Sequence, residues 1–238
     1  MEIKDIEFFE SPISKKRLLL ACLHYFVGYL FLYPMIVNGV WTAITKQESM
    51  PVVLAILLNV FVLIVTVWLL FPVYKESWIE FKKDIFTNFG YVVLYMLAMF
   101  IMNIVLSLII MLVTGLDNST NQMILEEMFG QYPFYVSFSA VVFAPIVEEG
   151  IFRGGFFRWF SSQSKMKAYA ISAILFGLLH VFESVFTGNF MDLAFIVVYA
   201  TMGVVLADLY RRSNQMISCI LLHALYNGMS IMALFMLT

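Results

Sequence analysis

Seven stretches of this chain are long and apolar enough to cross the hydrocarbon core of a lipid bilayer, which requires about 20 residues of helix. In one of them, VVLAILLNVFVLIVTVWLLF, apolar side chains cover every face of a helix, whereas a transmembrane β-strand would alternate polar and apolar residues. Hydrophobic residues make up 62% of the chain and charged residues 13%, unlike a soluble globular domain. The sequence therefore predicts an all-α, polytopic transmembrane helix bundle. The predicted spans are Leu18 to Val40, Pro51 to Val73, Tyr91 to Gly115, Phe134 to Phe157, Lys167 to Phe186, Met191 to Tyr210 and Met216 to Leu237.

The 14 lysines and arginines are distributed unevenly between the two sides of these spans. Only Lys46 lies on one side. All the others lie before span one, near the end of span two, four or six, or between that end and the start of the next span. Because cytoplasmic loops are enriched in Lys and Arg, this pattern predicts a cytoplasmic N-terminus and an external C-terminus. An even number of spans would break the alternation. The residues predicted on the cytoplasmic side are Lys4, Lys15, Lys16, Arg17, Lys75, Lys82, Lys83, Arg153, Arg158, Lys165, Lys167, Arg211 and Arg212.

A single integral membrane domain, residues 1–238, is predicted because no linker rich in Gly, Ser or Pro separates the spans. Glu76 to Phe89 mixes aromatic residues and lysines at helical spacing, which predicts an interfacial helix on the cytoplasmic face. Asn118 to Tyr132 is predicted as an external loop with Glu126 and Glu127 as solvated charges. The net charge of −2 leaves no basic stripe for phosphates, which excludes nucleic-acid binding.

Ionisable side chains inside the last four spans indicate function, because a charge at membrane depth costs about 2.5 to 3.5 kcal/mol. Glu149 and Arg153 in span four are four residues apart and share one helix face, whereas Glu148 points away from the arginine. We therefore expect Glu149 to stay ionised beside Arg153, and Glu148 to face the bundle interior as a general base or acid. The alternative is that all three form only a structural ion-pair cluster.

Two further spans carry histidines. His180 in span five follows Phe176 by four residues, which predicts that the two rings stack. His223 and Asn227 in span seven have the same spacing and present an imidazole and an amide on one stripe, suited to a polarised carbonyl. Taken alone, each histidine is more often a hydrogen-bonded packing residue, and only the combination points to a site. From the helix rise these side chains and Glu148 lie roughly 10 to 20 Å from the cytoplasmic ends of their spans, which predicts one pocket in the cytoplasmic half.

A carboxylate and two imidazoles around one point can either hold a metal such as zinc or activate a water molecule directly. The sequence leaves both open. An HExxH motif is absent, and no Ser or Cys nucleophile with a nearby base is evident, so water is the expected nucleophile. If a metal is bound, its predicted ligands are Glu148, His180 and His223.

Three segments, EEGIFR from Glu148, FGLLH ending at His180 and HALYN from His223, together resemble the signatures of a known family. It is the CPBP (CAAX protease and bacteriocin-processing, or Abi) intramembrane protease family, related to type II CAAX prenyl endopeptidases. The resemblance covers about residues 134–230, the motif-bearing core. It implies an intramembrane endopeptidase, expected in a bacterial plasma membrane with its site open to the cytoplasmic side. The implied substrate is a peptide or protein tail with a membrane-associated segment.

The resemblance also implies roles for individual residues. Glu148 and His180 would activate the attacking water, and His223 and Asn227 would stabilise the tetrahedral oxyanion. The implied supporting residues are Glu149 and Arg153, and Phe176 would support His180 through the stack. Because the family has been described both as metalloproteases and as glutamate-type proteases, zinc stays open. The motifs imply neither a particular substrate nor an oligomeric state, and residues 1–130 carry no motif of the family.

Two other classes of function compete with this hypothesis. A non-catalytic membrane scaffold or bacteriocin-immunity factor would bind a partner through its helices. A transporter would use the buried carboxylate and histidines as a proton relay. The remaining polar residues within spans have structural interpretations: hydrogen bonds between helices for His24, Asn59 and Asn103, an i,i+4 pair with Arg212 for Asp208, and burial as small hydrophobes for Cys22 and Cys219.

Overall fold

The fold is taken from a computed structural model, which describes residues 13–237; Lys4 lies outside the described residues. The described part of the chain is built of helices joined by short connections. In chain order these are α1 Lys15–Thr45, α2 Val52–Leu69, α3 Phe71–Lys83, α4 Ile85–Thr114, α5 Thr120–Gln131, α6 Pro133–Ser161, α7 Lys165–His180, α8 Phe182–Thr187, α9 Phe190–Ser213 and α10 Ile217–Leu237.

The predicted all-α membrane bundle is confirmed. Six helices of the described chain, α1, α2, α4, α6, α9 and α10, are long and apolar enough to cross a membrane. The fifth predicted stretch is also helical, but α7 has only 16 residues and is about 24 Å long. It ends at His180 rather than at the predicted Phe186, because the chain leaves helical geometry at Val181 before α8 begins.

Close contact between α7 and α9 depends on glycines. A Cβ atom added at Gly203 would lie 2.9 Å from the Cα atom of Ala173. One added at Gly177 would lie 3.0 Å from the backbone oxygen of Ile196. Small residues at such contacts let two helix backbones approach closely in a membrane. This packing fixes the position of His180 at the end of α7.

Replacement of Gly203 by valine is expected to reduce the stability of the purified protein by about 1–3 kcal/mol, because the opposing backbone of Ala173 cannot yield without separating α7 from α9. Thermal unfolding in detergent measures the effect. Gly130→Val is a matched control, since a Cβ atom at that position of α5 meets nothing within 4 Å. Equal melting temperatures for the two variants would contradict the close-packing interpretation.

The segment predicted as an interfacial helix is helical but belongs to two helices. The first, α3, ends at Lys83, and its Lys82 ammonium lies 5.5 Å from the centroid of Trp78. Asp84 then caps α4 by accepting a hydrogen bond from the Thr87 backbone N–H at 3.0 Å. Hydrogen bonds from Thr87 also hold the pKa of the Asp84 carboxyl group below its ordinary value. This cap explains why the predicted boundary at Phe89 was wrong.

The predicted external loop, Asn118 to Tyr132, is instead mostly the helix α5. Its N-cap is Ser119, whose hydroxyl accepts the backbone N–H of Gln122 at 3.2 Å. The Gln122 side chain in turn donates to Glu126 at 2.8 Å. Glu127 is exposed, as predicted, whereas Glu126 is half-buried.

The polar residues predicted to join helices do so. His24 of α1 lies 2.8 Å from the Tyr33 hydroxyl through Nδ1 and 3.3 Å from the Val62 carbonyl oxygen of α2 through Nε2. Asn59 of α2 donates to the Ser139 hydroxyl of α6 at 2.9 Å. These bonds satisfy polar groups that could find no partner in lipid, and they tie the first two helices to α6.

Asn103 donates to a methionine sulfur of α9 at 3.9 Å, and Arg212 donates to Asp208 at 2.7 Å with the predicted i,i+4 spacing. Cys219 is fully buried, whereas Cys22 is only half-buried, so the burial prediction is confirmed for one of the two cysteines.

Candidate active site

The predicted pair of Glu149 and Arg153 lies in α6 and is fully buried. Arg153 Nη1 donates to Glu149 Oε1 at 2.9 Å, and both side chains are 0% exposed. Nη2 of the same arginine donates to the Gly203 carbonyl oxygen of α9 at 2.9 Å. The guanidinium carbon lies 4.7 Å from the centroid of the Phe176 ring of α7. The pair therefore ties α6 to α7 and α9.

His223 contacts Glu149 and is held by it. Its Nδ1 atom lies 3.0 Å from Glu149 Oε1. Because an ionised carboxylate only accepts hydrogen bonds, Nδ1 carries the hydrogen. Glu149 Oε1 thus accepts from both Arg153 and His223, and this bond orients the imidazole. The spacing within span seven could not predict the contact, since the partner lies 74 residues earlier in the chain.

Glu148 and His180 face each other across a short gap. His180 Nδ1 lies 2.8 Å from the Phe176 carbonyl oxygen, so Nδ1 donates and Nε2 keeps its lone pair in the neutral ring. Nε2 lies 4.0 Å from Glu148 Oε2, which is too long for a hydrogen bond. Oε2 is buried and has no hydrogen-bond partner. Since buried polar atoms are rarely left unpaired, the gap indicates a place for a water molecule or a ligand atom.

The imidazole of His180 is held between two aromatic rings. Phe176 lies on one side with a centroid distance of 4.5 Å and an interplanar angle of 34°, so the predicted contact is present but the rings are tilted. Tyr199 of α9 is stacked against it at 4.7 Å with an interplanar angle of 25°. The Tyr199 hydroxyl is 2.7 Å from the Ser119 hydroxyl at the start of α5. Tyr199 was not predicted, because no motif marks a tyrosine in span six.

Asn227 is bound to the backbone of α6. Its Nδ2 atom donates to the Ala140 carbonyl oxygen at 2.8 Å. This carbonyl lies in a π-helical stretch, Ser139–Phe143, where the Ala144 N–H bonds to Ser139 instead of Ala140. The next residue, Pro145, has no N–H to donate. Asn227 supplies the missing donor, and its second amide hydrogen is left for another acceptor.

A cavity of about 560 Å³ connects these side chains. Its lining includes Glu148, Phe176, His180, His223 and Asn227, so the structure brings the predicted residues of three spans to one pocket. Glu149 and Arg153 do not line it and lie behind Glu148 and His223. Its lining combines polar side chains with aromatic rings, as is usual for ligand-binding cavities.

The position of one end of the cavity does not agree with the predicted cytoplasmic opening. Besides the catalytic candidates, residues of the 117–128 segment line it. The distribution of basic residues predicts that this segment is external, whereas the expected opening was cytoplasmic. His180 is the last residue of α7, about 22 Å along the helix axis from Lys165, so it lies at the end of α7 farther from the basic residues and beyond the expected cytoplasmic half.

The N-terminal half contributes to the site although it carries no motif. Tyr25 and Tyr29 of α1, and Asn103 and Ser107 of α4, line the same cavity. Tyr25 is 2% exposed, and its hydroxyl interacts with the carboxylate of Glu148. Span one also carries Tyr29 and Tyr33, so nothing local distinguishes Tyr25, and only the tertiary structure reveals the contact.

The predicted zinc ligands can be tested by their positions. In the described part of the chain, no group of three or more His, Cys, Asp or Glu side chains is gathered closely enough to hold a metal ion. His180 and Glu148 face each other, but Nδ1 of His223 is bonded to Glu149. In this arrangement the three residues do not form a three-ligand metal site.

The helix bundle defines a membrane protein, and its cavity gathers Glu148, His180 and His223 in one pocket. Residues 130–229 match the family model described as "Type II CAAX prenyl endopeptidase Rce1-like". The matched segment runs from the end of α5 into α10 and contains every predicted site residue. The predicted resemblance to type II CAAX prenyl endopeptidases is confirmed over this segment.

A curated relative matches a similar fraction of the chain. The UPF0177 protein YbdI of Lactococcus lactis subsp. lactis (strain IL1403) is 34% identical over 96 residues. The alignment covers 40% of this chain and 47% of the relative, so the chain spans about half the length of the relative it matches. No solved structure matches the chain.

Proposed function

We propose that this protein is an intramembrane endopeptidase that hydrolyses a peptide bond with a water molecule activated by Glu148 and His180. The observation that carries the proposal is the gap of 4.0 Å between Glu148 Oε2 and His180 Nε2. Both atoms are acceptors when Glu148 is ionised and His180 is neutral, and Oε2 has no other partner. A water molecule in the gap would donate one hydrogen to each.

In the proposed reaction, one of these two acceptors takes a proton as the water oxygen attacks the peptide carbonyl carbon. The carbonyl π-electrons move to oxygen and form a tetrahedral oxyanion. Collapse of this intermediate breaks the C–N bond, and the leaving nitrogen receives the proton. The products are a carboxylic acid and an amine, so water is the only co-reactant.

Two donors are proposed for the oxyanion. Asn227 offers the amide hydrogen that its bond to Ala140 leaves free. His223 donates through Nδ1 to Glu149, so it offers a second hydrogen from Nε2 only as the imidazolium. A preorganised donor of this kind contributes about 2.7–4 kcal/mol to stabilisation of the transition state in other hydrolases.

The test is cleavage of quenched fluorescent peptides with apolar segments by the purified protein in lipid nanodiscs. We expect cleavage by the wild type and at least a roughly 100-fold loss in His180→Ala, since general acid–base groups contribute about 10²–10⁴-fold. His24→Ala removes another histidine, which does not line the cavity, and should keep the activity of its folded fraction. Undiminished cleavage by a folded His180→Ala variant would refute the mechanism.

Further assays distinguish the other two hypotheses. A scaffold or immunity factor would keep its biological effect in His180→Ala, and a transporter would move a substrate across proteoliposomes without cleaving it. Metal analysis of the protein, together with activity before and after chelation, determines whether zinc takes part.

A further inference from the structure

We propose that the site receives its peptide from the extracytoplasmic face of the membrane, through the end of the cavity lined by the 117–128 segment. The part of this inference that says a peptide enters rests on the proposed function. The side of the membrane from which the peptide enters is inferred from the fold and from the distribution of basic residues. It replaces the cytoplasmic opening expected from the sequence.

The long helix α4 places the basic connections and the cavity mouth on opposite sides. It has 30 residues and is about 45 Å long, enough to cross a bilayer completely. Lys82 and Lys83 precede its first residue, and Asp117 follows three residues after its last. Asn103 and Ser107, in the half of α4 nearer Asp117, line the cavity. The polar path therefore runs from Glu148 towards the Asp117 end.

Helix α9 also has its basic residues and the cavity mouth at opposite ends. α9 begins at Phe190 and ends with Arg211 and Arg212 in its last turn. Near its start, Asp192 accepts the backbone N–H of Thr120 at 2.8 Å, which joins this end of α9 to the beginning of α5. The arginines are thus at the far end of α9 from the cavity mouth.

The opposite end of the site is closed by packing. Behind Glu148, Glu149 and Arg153 are 0% exposed. The Tyr74 hydroxyl of α3 donates to the Ile146 carbonyl oxygen of α6 at 2.7 Å. A Cβ atom added at Gly150 would lie only 2.2 Å from the same hydroxyl, so α3 and α6 are in close contact here. The cytoplasmic side of the pocket is therefore filled by side chains.

The uneven distribution of lysines and arginines then indicates which side of the membrane is cytoplasmic. Among the described basic residues, Lys46 is the one on the same side as the 117–128 segment. Loops rich in Lys and Arg remain in the cytoplasm, so the mouth lies outside. Ser119 at the mouth hydrogen-bonds to Tyr199, and Tyr199 stacks on His180. The mouth is therefore linked to His180 through Tyr199.

Cysteine labelling tests the side of the mouth independently of catalysis. In a Cys22→Ala/Cys219→Ala background, Asn118→Cys introduces a thiol at the exposed mouth. Ser162→Cys introduces one in the exposed turn after α6, next to the basic residues. A permanently charged maleimide applied to intact cells should label Asn118→Cys, and should label Ser162→Cys only after permeabilisation. The reverse pattern would overturn the proposal.

A second measurement asks whether the mouth leads to the site. Ser107→Cys lies deeper along the cavity wall, and a small charged methanethiosulfonate added outside intact cells should modify it. Protection of Ser107→Cys while Asn118→Cys reacts would show that the path is closed, against the proposal. Because neither readout requires cleavage, external labelling combined with absence of peptidase activity would refute only the proposed function.

Discussion

Replacement of Glu148 by glutamine is expected to reduce peptide cleavage by roughly 10²- to 10⁴-fold, because the amide cannot accept a proton from water at neutral pH. Glutamine has nearly the same shape as glutamate, and Glu148 Oε2 makes no hydrogen bond that the fold would lose. The fold should therefore be retained while the general base is removed. Initial rates of peptide cleavage by the purified variants give the measurement.

Glu80→Gln is the matched control for this prediction. Glu80 lies on α3, away from the cavity, and its carboxylate pairs with Lys83 at 2.5 Å. The control should cleave at the wild-type rate. A Glu148→Gln protein that keeps more than about a tenth of the activity would rule out Glu148 as the general base.

Arg153→Met is expected to lower the free energy of unfolding by about 3–5 kcal/mol, the usual effect of removing one partner of a buried ion pair. Glu149 would then keep a charge at 0% exposure with only His223 as partner. The carbonyl of Gly203 would lose its donor as well. The double variant Glu149→Gln/Arg153→Met removes the isolated charge, and we expect it to recover part of the stability.

Chemical unfolding in a mild detergent measures these differences. Lys83→Met is the control, because the Lys83 side chain is 64% exposed and a surface substitution usually changes stability by no more than about 0.5 kcal/mol. If Arg153→Met and Lys83→Met unfold alike, the ion pair does not stabilise the bundle in the way its burial indicates.

Local patterns in the sequence predicted the long helices and the contacts within single helices of the site. Apolar length identified every long helix, and the i,i+4 rule identified the pairing of Glu149 with Arg153 as well as the contact of Phe176 with His180. Helix α5 was missed, although its capping signal is visible: Ser119 is followed three residues later by Gln122. Its polar composition made it look like a loop.

Contacts between distant helices could not be predicted in the same way. Glu148 and His180 are 32 positions apart, and nothing in either motif determines that Oε2 and Nε2 face each other. Spacing suggested that His223 and Asn227 act together, yet their nearest polar partners are Glu149 and the Ala140 carbonyl oxygen. The π-helical stretch before Pro145 creates that second contact, and such irregular turns are not visible in hydropathy.

The shortness of α7 has a consequence for the lipid around the protein. Its 16 residues extend over about 24 Å, less than the roughly 30 Å hydrocarbon thickness of an average bilayer. Tilting a short helix only increases the mismatch, and local thinning of the bilayer is one of the ways to accommodate it. Thinning brings bulk water towards His180, the last residue of α7. Because the proposed hydrolysis consumes water, we expect cleavage to become slower in bilayers of longer acyl chains.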